Sequence, residues 1–487
     1  MDGDVLLAGV ELYPLRRVAD VRLRGGAITE IGSRLPPRAD EFVVRGDGGA
    51  LLPGLADHHL HLAAMAAGDT SSDLTGVSRG ELPAVLARAS VGEDGWVRAV
   101  GYDDVVHGTL DRDVLDGWSD GMPVRVQHRS GALWVLNSAG LERLTGLAGM
   151  DQDSGREQPE RGSGRGQLDR LAAHEGMERD SAGRPTGRLW RADAWLRDAL
   201  GGRPPSLRTV GARLAALGVT HVADATPDAG AAKVVADAVR QGELPQHALL
   251  MAADAAPPDH PRLSLGPVKL VVADHALPDL DGLAERIRRA HADGRPVAVH
   301  CVTRTALALT LAAFDQAGGL ADDRVEHCAV ADLAAAEELA ARGIRVVTQP
   351  TLIARRGDDY WARVDPEDRP DLWRYAGLLR AGVQVAPSSD APYGDPDPWA
   401  CLRAAAERTT PSGRVLGPAE RVAAATVLHG MLSPLHDPGG PPRRIAEGDP
   451  ADLVLLDRPL ADALHSPDAG QVRATFIEGR VVYGDLR

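Results

Sequence analysis

His59 and His61 stand two apart in PGLADHHLH, residues 53–61. In an extended segment side chains two apart leave the same face. Two imidazoles at that spacing can hold one metal ion, while His58 faces the other way and is not expected to be a ligand. Further polar residues sit in or at the end of apolar runs. Lys269 lies inside PVKLVV, where a buried lysine is costly unless it is paired or modified. His300 closes PVAVH, His327 closes RVEH and Asp390 closes QVAPSSD. Taken singly, His300 could cap a helix, His327 could be a satisfied core histidine and Asp390 could start a turn.

These six residues can meet only if the runs that carry them are neighbouring parallel strands. Candidate strands are 51–61, 219–225, 247–253, 267–273, 296–302, 324–330, 344–350 and 383–390. Several follow amphipathic stretches that end in Gly, such as LAERIRRAHADG and LAAAEELAARG, and Gly just past a helix is a usual stop. Eight strand signals with helices between them indicate a (β/α)8 TIM-like barrel rather than an open sheet. Barrel strands bring their C-terminal ends to one mouth, so His59, His61, Lys269, His300, His327 and Asp390 are expected to form one cluster. The Pro-rich stretch 254–266 carries no convincing helix.

Both ends of the chain read as short strands with Gly-containing turns, from VLLAGVELY to EFVV and from ADLVLLD to VRATFIEGRVVYG. One discontinuous β-domain made of 1–50 and 440–487 is expected, around a hydrolase barrel over 51–439. Roughly 150 residues separate the first two barrel strands, far more than a βα connection needs. They predict a cap insertion over 63–205. In it, 96–104 and 123–131 read as strands, 133–144 as a helix and the polar, Gly-rich 151–167 as a loop.

The 487 residues carry 54 Lys plus Arg against 69 Asp plus Glu, a formal charge of −15. That balance disfavours nucleic acid or an anionic membrane as the main partner. Hydrophobic residues make up 44%, enough for a large core. The cysteines, Cys301, Cys328 and Cys401, form no CxxC pair, and an odd number gives no disulfide framework, so a cytoplasmic setting is expected. The N-terminal MDGDVLLAGV lacks the pattern of a signal peptide, and no apolar run suggests a membrane span.

PGxxDxHxH on strand one, Lys on strand four, His on strands five and six and Asp on strand eight resemble the amidohydrolase superfamily. The finer likeness is to amidohydrolase family 3, the branch containing N-substituted formamide deformylase. It is carried by GYDD…LDRDVLD, PVRVQHRSGALWVLNS, RPTGRLW, RVEHC, SSDAPYGDPDPW and RRIAEGDPADLVLLD. The resemblance implies two divalent metals, usually zinc, with iron or manganese also suited. It places His59, His61 and Asp390 on the more buried ion and His300 and His327 on the other. Lys269 would be carboxylated to a bridging carbamate, because an unmodified ammonium repels a cation. The chain departs from many relatives at Ser130-Gly131-Ala132, where they have Asp-Gly-His. It departs again at Cys301-Val302-Thr303-Arg304, where they have a small-Gly-Asp element.

The implied reaction is hydrolysis of a non-peptide carbon–nitrogen bond, in an N-acyl, formamide or cyclic amide, by metal-activated hydroxide. Asp390 would take the proton and return it to the leaving nitrogen. Expected substrate contacts are Tyr102, His128, Arg129, Trp134, Asn137, Arg304, Gln349 and Tyr393, with Arg129 and Arg304 suited to a substrate carboxylate. The expected partner is a small-molecule amide, with a homodimer left open. A deaminase or lactonase using the same bridged metals is the competing enzyme reading, and a non-catalytic binding protein the competing class.

Overall fold

The structure is a computed structural model of the chain. It describes residues 4–92, 94–147, 175–200, 204–256, 258–274 and 276–484. The loop expected over 151–167 lies outside the described residues. The chain divides into two compact units, one formed by Met1–Ala63 and Ser206–Arg487, the other by Ala64–Pro205.

In the first unit, both ends of the chain share one eight-stranded sheet. Strand Ala50–Pro53 is the junction: it runs parallel to Asp4–Leu12 and antiparallel to Leu453–Leu456. Alternating apolar residues of these strands, among them Val5, Leu7, Leu51, Leu453, Leu455 and Phe476, build one buried cluster.

The run 51–61 is not one strand. It breaks at Gly54, after which Leu55–Leu60 opens a different sheet. A Cβ at Gly54 would stand 2.1 Å from Thr220 Oγ1, so only glycine lets the chain pass there.

The eight strands of the barrel layer are β1 (Leu55–Leu60), β2 (Val219–Asp224), β3 (His247–Leu250), β4 (Val268–Val271), β5 (Val297–Cys301), β6 (Arg324–His327), β7 (Arg345–Thr348) and β8 (Val385–Pro387). All pairings among them are parallel. β1, β2 and β3 form one sheet with the short strand Leu263–Leu265, and β4 to β8 form the other. Backbone hydrogen bonds join the two sheets on both sides. Lys269 N–H donates to Met251 O at 2.9 Å, and Asp390 N–H to His59 O at 2.8 Å. Among the described residues no continuous ladder closes them into a single sheet.

Among the described residues a helix follows every barrel strand except β3, which leads to the short strand Leu263–Leu265. Asp228, Asp279, Thr303, Asp332 and Asp397 cap helices that begin just after β2, β4, β5, β6 and β8, each side chain accepting a backbone N–H. This strand-then-helix order gathers the C-terminal strand ends on one rim.

The second unit holds a six-stranded sheet with neighbouring strands Val97–Tyr102, Val124–His128 and Leu133–Leu136. The helix expected over 133–144 begins only at Ser138. LWVL instead pairs on both sides as a buried strand, because its apolar side chains serve two faces of the sheet layer. Among the described residues no helix is long and apolar enough to cross a membrane.

Candidate metal centre

β1 carries His59, with His61 just past its end. His59 is almost wholly buried, 1% exposed. Its Nε2 lies 3.5 Å from Asp390 Oδ1, and His61 Nε2 lies 3.4 Å from the same oxygen. The donor atoms of His59, His61 and Asp390 all fall within 4.8 Å of one another. Lys269 Nζ stands 3.4 Å from His59 Nε2. The His327 ring centroid is 4.9 Å from that of His59, and the His300 ring is 4.4 Å from His327. The six residues therefore converge from β1, β4, β5, β6 and the end of β8.

The far nitrogens of three of these rings are claimed by the protein. His59 Nδ1 lies 2.5 Å from Glu326 Oε2, His61 Nδ1 3.0 Å from Thr226 Oγ1 and His327 Nδ1 2.8 Å from Gln349 Oε1. Gln349 Nε2 donates to Ser388 Oγ at 2.9 Å, which leaves its Oε1 for His327. With Nδ1 engaged in this way, Nε2 is the atom each ring can offer to the centre.

The backbone at the site is itself unusual. His327, Cys328 and Asp390 take φ values of 69°, 51° and 54°, in the left-handed region that costs a non-glycine residue roughly 1–2 kcal/mol. Such strain persists where the surroundings over-determine it, and it aims two of the cluster's side chains.

Burial sets the electrostatics. It holds the His59 and His327 imidazoles well below their usual pKa, helped at His59 by Lys269 and at His327 by His300. Burial also brings the Lys269 amine down to about 8, against the upward pull of Glu326 and Asp390. Asp57, whose Oδ1 accepts from His59 N–H at 3.2 Å and Ser389 N–H at 3.1 Å, is pushed up to about 6 by burial. It ties the strand that bears His59 to the one that leads to Asp390. His58 turns away, with Nε2 3.2 Å from both Gly430 O and Ser433 Oγ.

The other expected contacts divide by unit. In the first, Tyr393 stacks edge-on to His61 with ring centroids 5.7 Å apart. Gln349 is fully buried and occupied by His327 and Ser388. Arg304 does not present a free cation to a substrate carboxylate. It is paired with Asp332 at 2.5 Å and with Asp368 and Asp371 at 2.6 Å. In the second unit, Tyr102 and Asn137 are framework residues. Tyr102 is fully buried with its hydroxyl donating to Gly108 O, and the Asn137 amide serves Val124, Gly140, Ser119 and Met122. Trp134 Nε1 donates to Asp193 at 2.9 Å, and Arg129 pairs with Asp103 at 2.9 Å. His128 bonds Ser130 Oγ and Asp104, and with Asp103 and Asp104 forms another convergent group.

Sequence reasoning missed Glu326, Arg324, Thr226 and Asp224. Thr226 reaches His61, and Asp224 accepts from the Leu62 and Thr226 backbone amides. The available signal was RVEH, two opposite charges two apart in a strand buried along its whole length. It also missed a group formed by His221, His247 and Asp452.

Similar architecture occurs in solved structures. A metal-dependent hydrolase from Pyrococcus horikoshii OT3 is 20% identical, covers 96% of this chain and 100% of its own, and superposes with a TM-score of 0.72. One from Pyrococcus furiosus is 20% identical over 93% of this chain and 99% of its own, with a TM-score of 0.67. A triazine hydrolase variant is 16% identical over 100% and 96%, with a TM-score of 0.54. At such identities the likeness shows the fold, a TIM-type α/β barrel. No curated protein matches the chain. The sequence pattern does match a family model, over residues 46–483, and that span takes in every strand that feeds the convergent cluster. The chain belongs to the amidohydrolase family.

Proposed function

We propose that this protein is a metal-dependent hydrolase that cleaves a non-peptide carbon–nitrogen bond of a small molecule, such as an N-acyl, formamide or cyclic amide. The observation that carries the reading is the meeting of His59 Nε2, His61 Nε2 and Asp390 Oδ1 beside the buried Lys269 amine. The donor set fits a divalent cation. Two imidazole nitrogens and a carboxylate oxygen suit zinc, and iron or manganese also accept such donors. His300 and His327 add two more imidazoles for a second ion. Lys269 fits once its amine is carboxylated, since a carbamate offers oxygens where an ammonium would repel the ions. With its pKa brought down to about 8, the amine has the uncharged fraction that reaction with carbon dioxide requires.

When bound, the metal supplies a Lewis acid for the carbonyl and water that loses its proton near neutral pH. The residues do the rest. The Asp390 carboxylate, through the oxygen that does not face His59 and His61, accepts the proton of the attacking water. As the carbon–nitrogen bond breaks, Asp390 returns that proton to the leaving nitrogen. Thr226, Glu326 and Gln349 keep three rings oriented through the step.

The test is elemental analysis of the purified protein, followed by turnover of N-formyl and N-acyl amines, cyclic amides, aminopurines and lactones. Metal-dependent amide cleavage that is lost in His59→Ala supports the reading. Release of ammonia from aminopurines alone would make it a deaminase, and turnover of lactones alone a lactonase. A protein that binds metal and turns over none of these would be a binding protein.

A further inference from the structure

A charged chain runs through the buried interior of the strand layer behind the proposed metal ligands. Arg324 and Glu326 are two apart on β6, so both point the same way from the strand. Their side chains are 1% and 0% exposed, and Arg324 Nε meets Glu326 Oε1 at 2.6 Å. Arg324 Nη2 also donates to His58 O on β1 at 3.1 Å. The second carboxylate oxygen, Oε2, reaches across to His59 Nδ1 at 2.5 Å.

A carboxylate can only accept, so the hydrogen of a neutral His59 ring belongs on Nδ1 and the lone pair on Nε2. Nε2 is the nitrogen that faces Asp390 and Lys269. A buried ion pair serving the fold alone would be complete with Arg324 and Glu326. Here one oxygen is spent on the ring. Such an outer carboxylate fixes ring orientation and makes the ligand nitrogen more basic.

We infer that Glu326 is a positioning residue that holds His59 with its Nε2 lone pair aimed at the metal, while Arg324 balances the buried charge. The inference rests on the metal reading above.

The experiment compares wild type, Glu326→Gln and the double variant Arg324→Met/Glu326→Leu. The double variant removes both charges together, because an unpaired buried arginine would unfold the barrel more readily than an apolar pair. Three quantities are read: melting of the metal-free protein, zinc affinity by chelator competition, and the visible spectrum of the cobalt(II)-loaded protein. The expected result is zinc binding weaker by about 10- to 100-fold and a changed cobalt spectrum, with the metal-free melt of the double variant close to wild type. Unchanged zinc affinity and an unchanged spectrum in the double variant, where no acceptor faces His59 Nδ1, overturn the positioning role, and so does the same result in Glu326→Gln if only that variant folds. Wild type and His59→Ala binding zinc equally poorly would overturn the metal reading, and this inference with it.

Discussion

Two groups in the first unit each bring two histidines and an aspartate together, His59–His61–Asp390 and His221–His247–Asp452. The partners behind the rings separate them. His59 Nδ1 faces the Glu326 carboxylate, which leaves the Nε2 lone pair turned toward Lys269 and Asp390. His221 Nδ1 instead sits 2.7 Å from Thr220 Oγ1 and 2.8 Å from Arg443 Nη1. A guanidinium only donates, so this Nδ1 is the acceptor and a neutral ring carries its hydrogen on Nε2. That nitrogen lies 3.9 Å from Asp452, and Arg443 Nη1 stands farther from it, at 3.4 Å, than from Nδ1. Arg443 also adds a fixed positive charge, and its other arm is tied to Gly54 O. The His221 and His247 rings stack at 4.6 Å and 14°. The same two residue types, in the same two-to-one ratio, thus make a cluster that faces a lysine and an aspartate in one place and an arginine-filled seam near the terminal sheet in the other. The atom behind each imidazole decides which.

The largest effect should come from Asp390. Asp390→Asn keeps an oxygen for the metal but loses the group proposed to carry the proton. Turnover is expected to fall at least about a hundredfold while substantial metal remains, the lower end of typical acid–base contributions. Metal content and turnover on one preparation check this, and near-normal turnover of the loaded variant would remove Asp390 from proton transfer.

A second break concerns stoichiometry. If two ions bind as proposed, Lys269→Ala should lower that content toward one or none, and the substitution shortens a buried side chain without leaving a charge behind. Elemental analysis showing two ions in that variant would end its bridging role. The matching substitution in the other group, His247→Ala, should leave metal content and turnover as they are.

Period-two spacing and strand ends made the cluster legible. His59 and His61 share a face whatever the surrounding fold, and His300, His327 and Asp390 each close an apolar run. What stayed hidden depends on which atom already holds a side chain. Arg304 reads as a free cation at a strand end, but three aspartates that come later in the chain, Asp332, Asp368 and Asp371, surround it. Tyr102 and Asn137 read as polar contacts, yet their polar atoms are consumed inside the sheet layer. Asp452 lies far along the chain from His221 and His247, so only the topology of the terminal sheet reveals that group. The break at Gly54 depends on Thr220, a neighbour that the local sequence does not contain.

The smallest expected effect sharpens the comparison from the arginine-filled side. Burial, then Arg443, His247 and His58, hold the His221 pKa well below its ordinary value. In the unfolded chain this ring takes a proton as pH falls through about 6.5. The folded protein does not, so acid favours the unfolded state. The contribution of neutral His221 is complete above that pH and is lost progressively below it. Replacing it with glutamine, which can still accept from Arg443 but does not titrate, removes that slope. The metal-free His221→Gln protein should therefore lose less Tm than wild type between pH 7.5 and 5.5, by about 1 °C. His59 and His327 are also depressed, but they are present in both proteins and cancel in the difference. Metal content and turnover should not change. Parallel Tm curves for the two proteins would mean that His221 is already charged in the fold, and the tautomer argument that separates the two groups would fall.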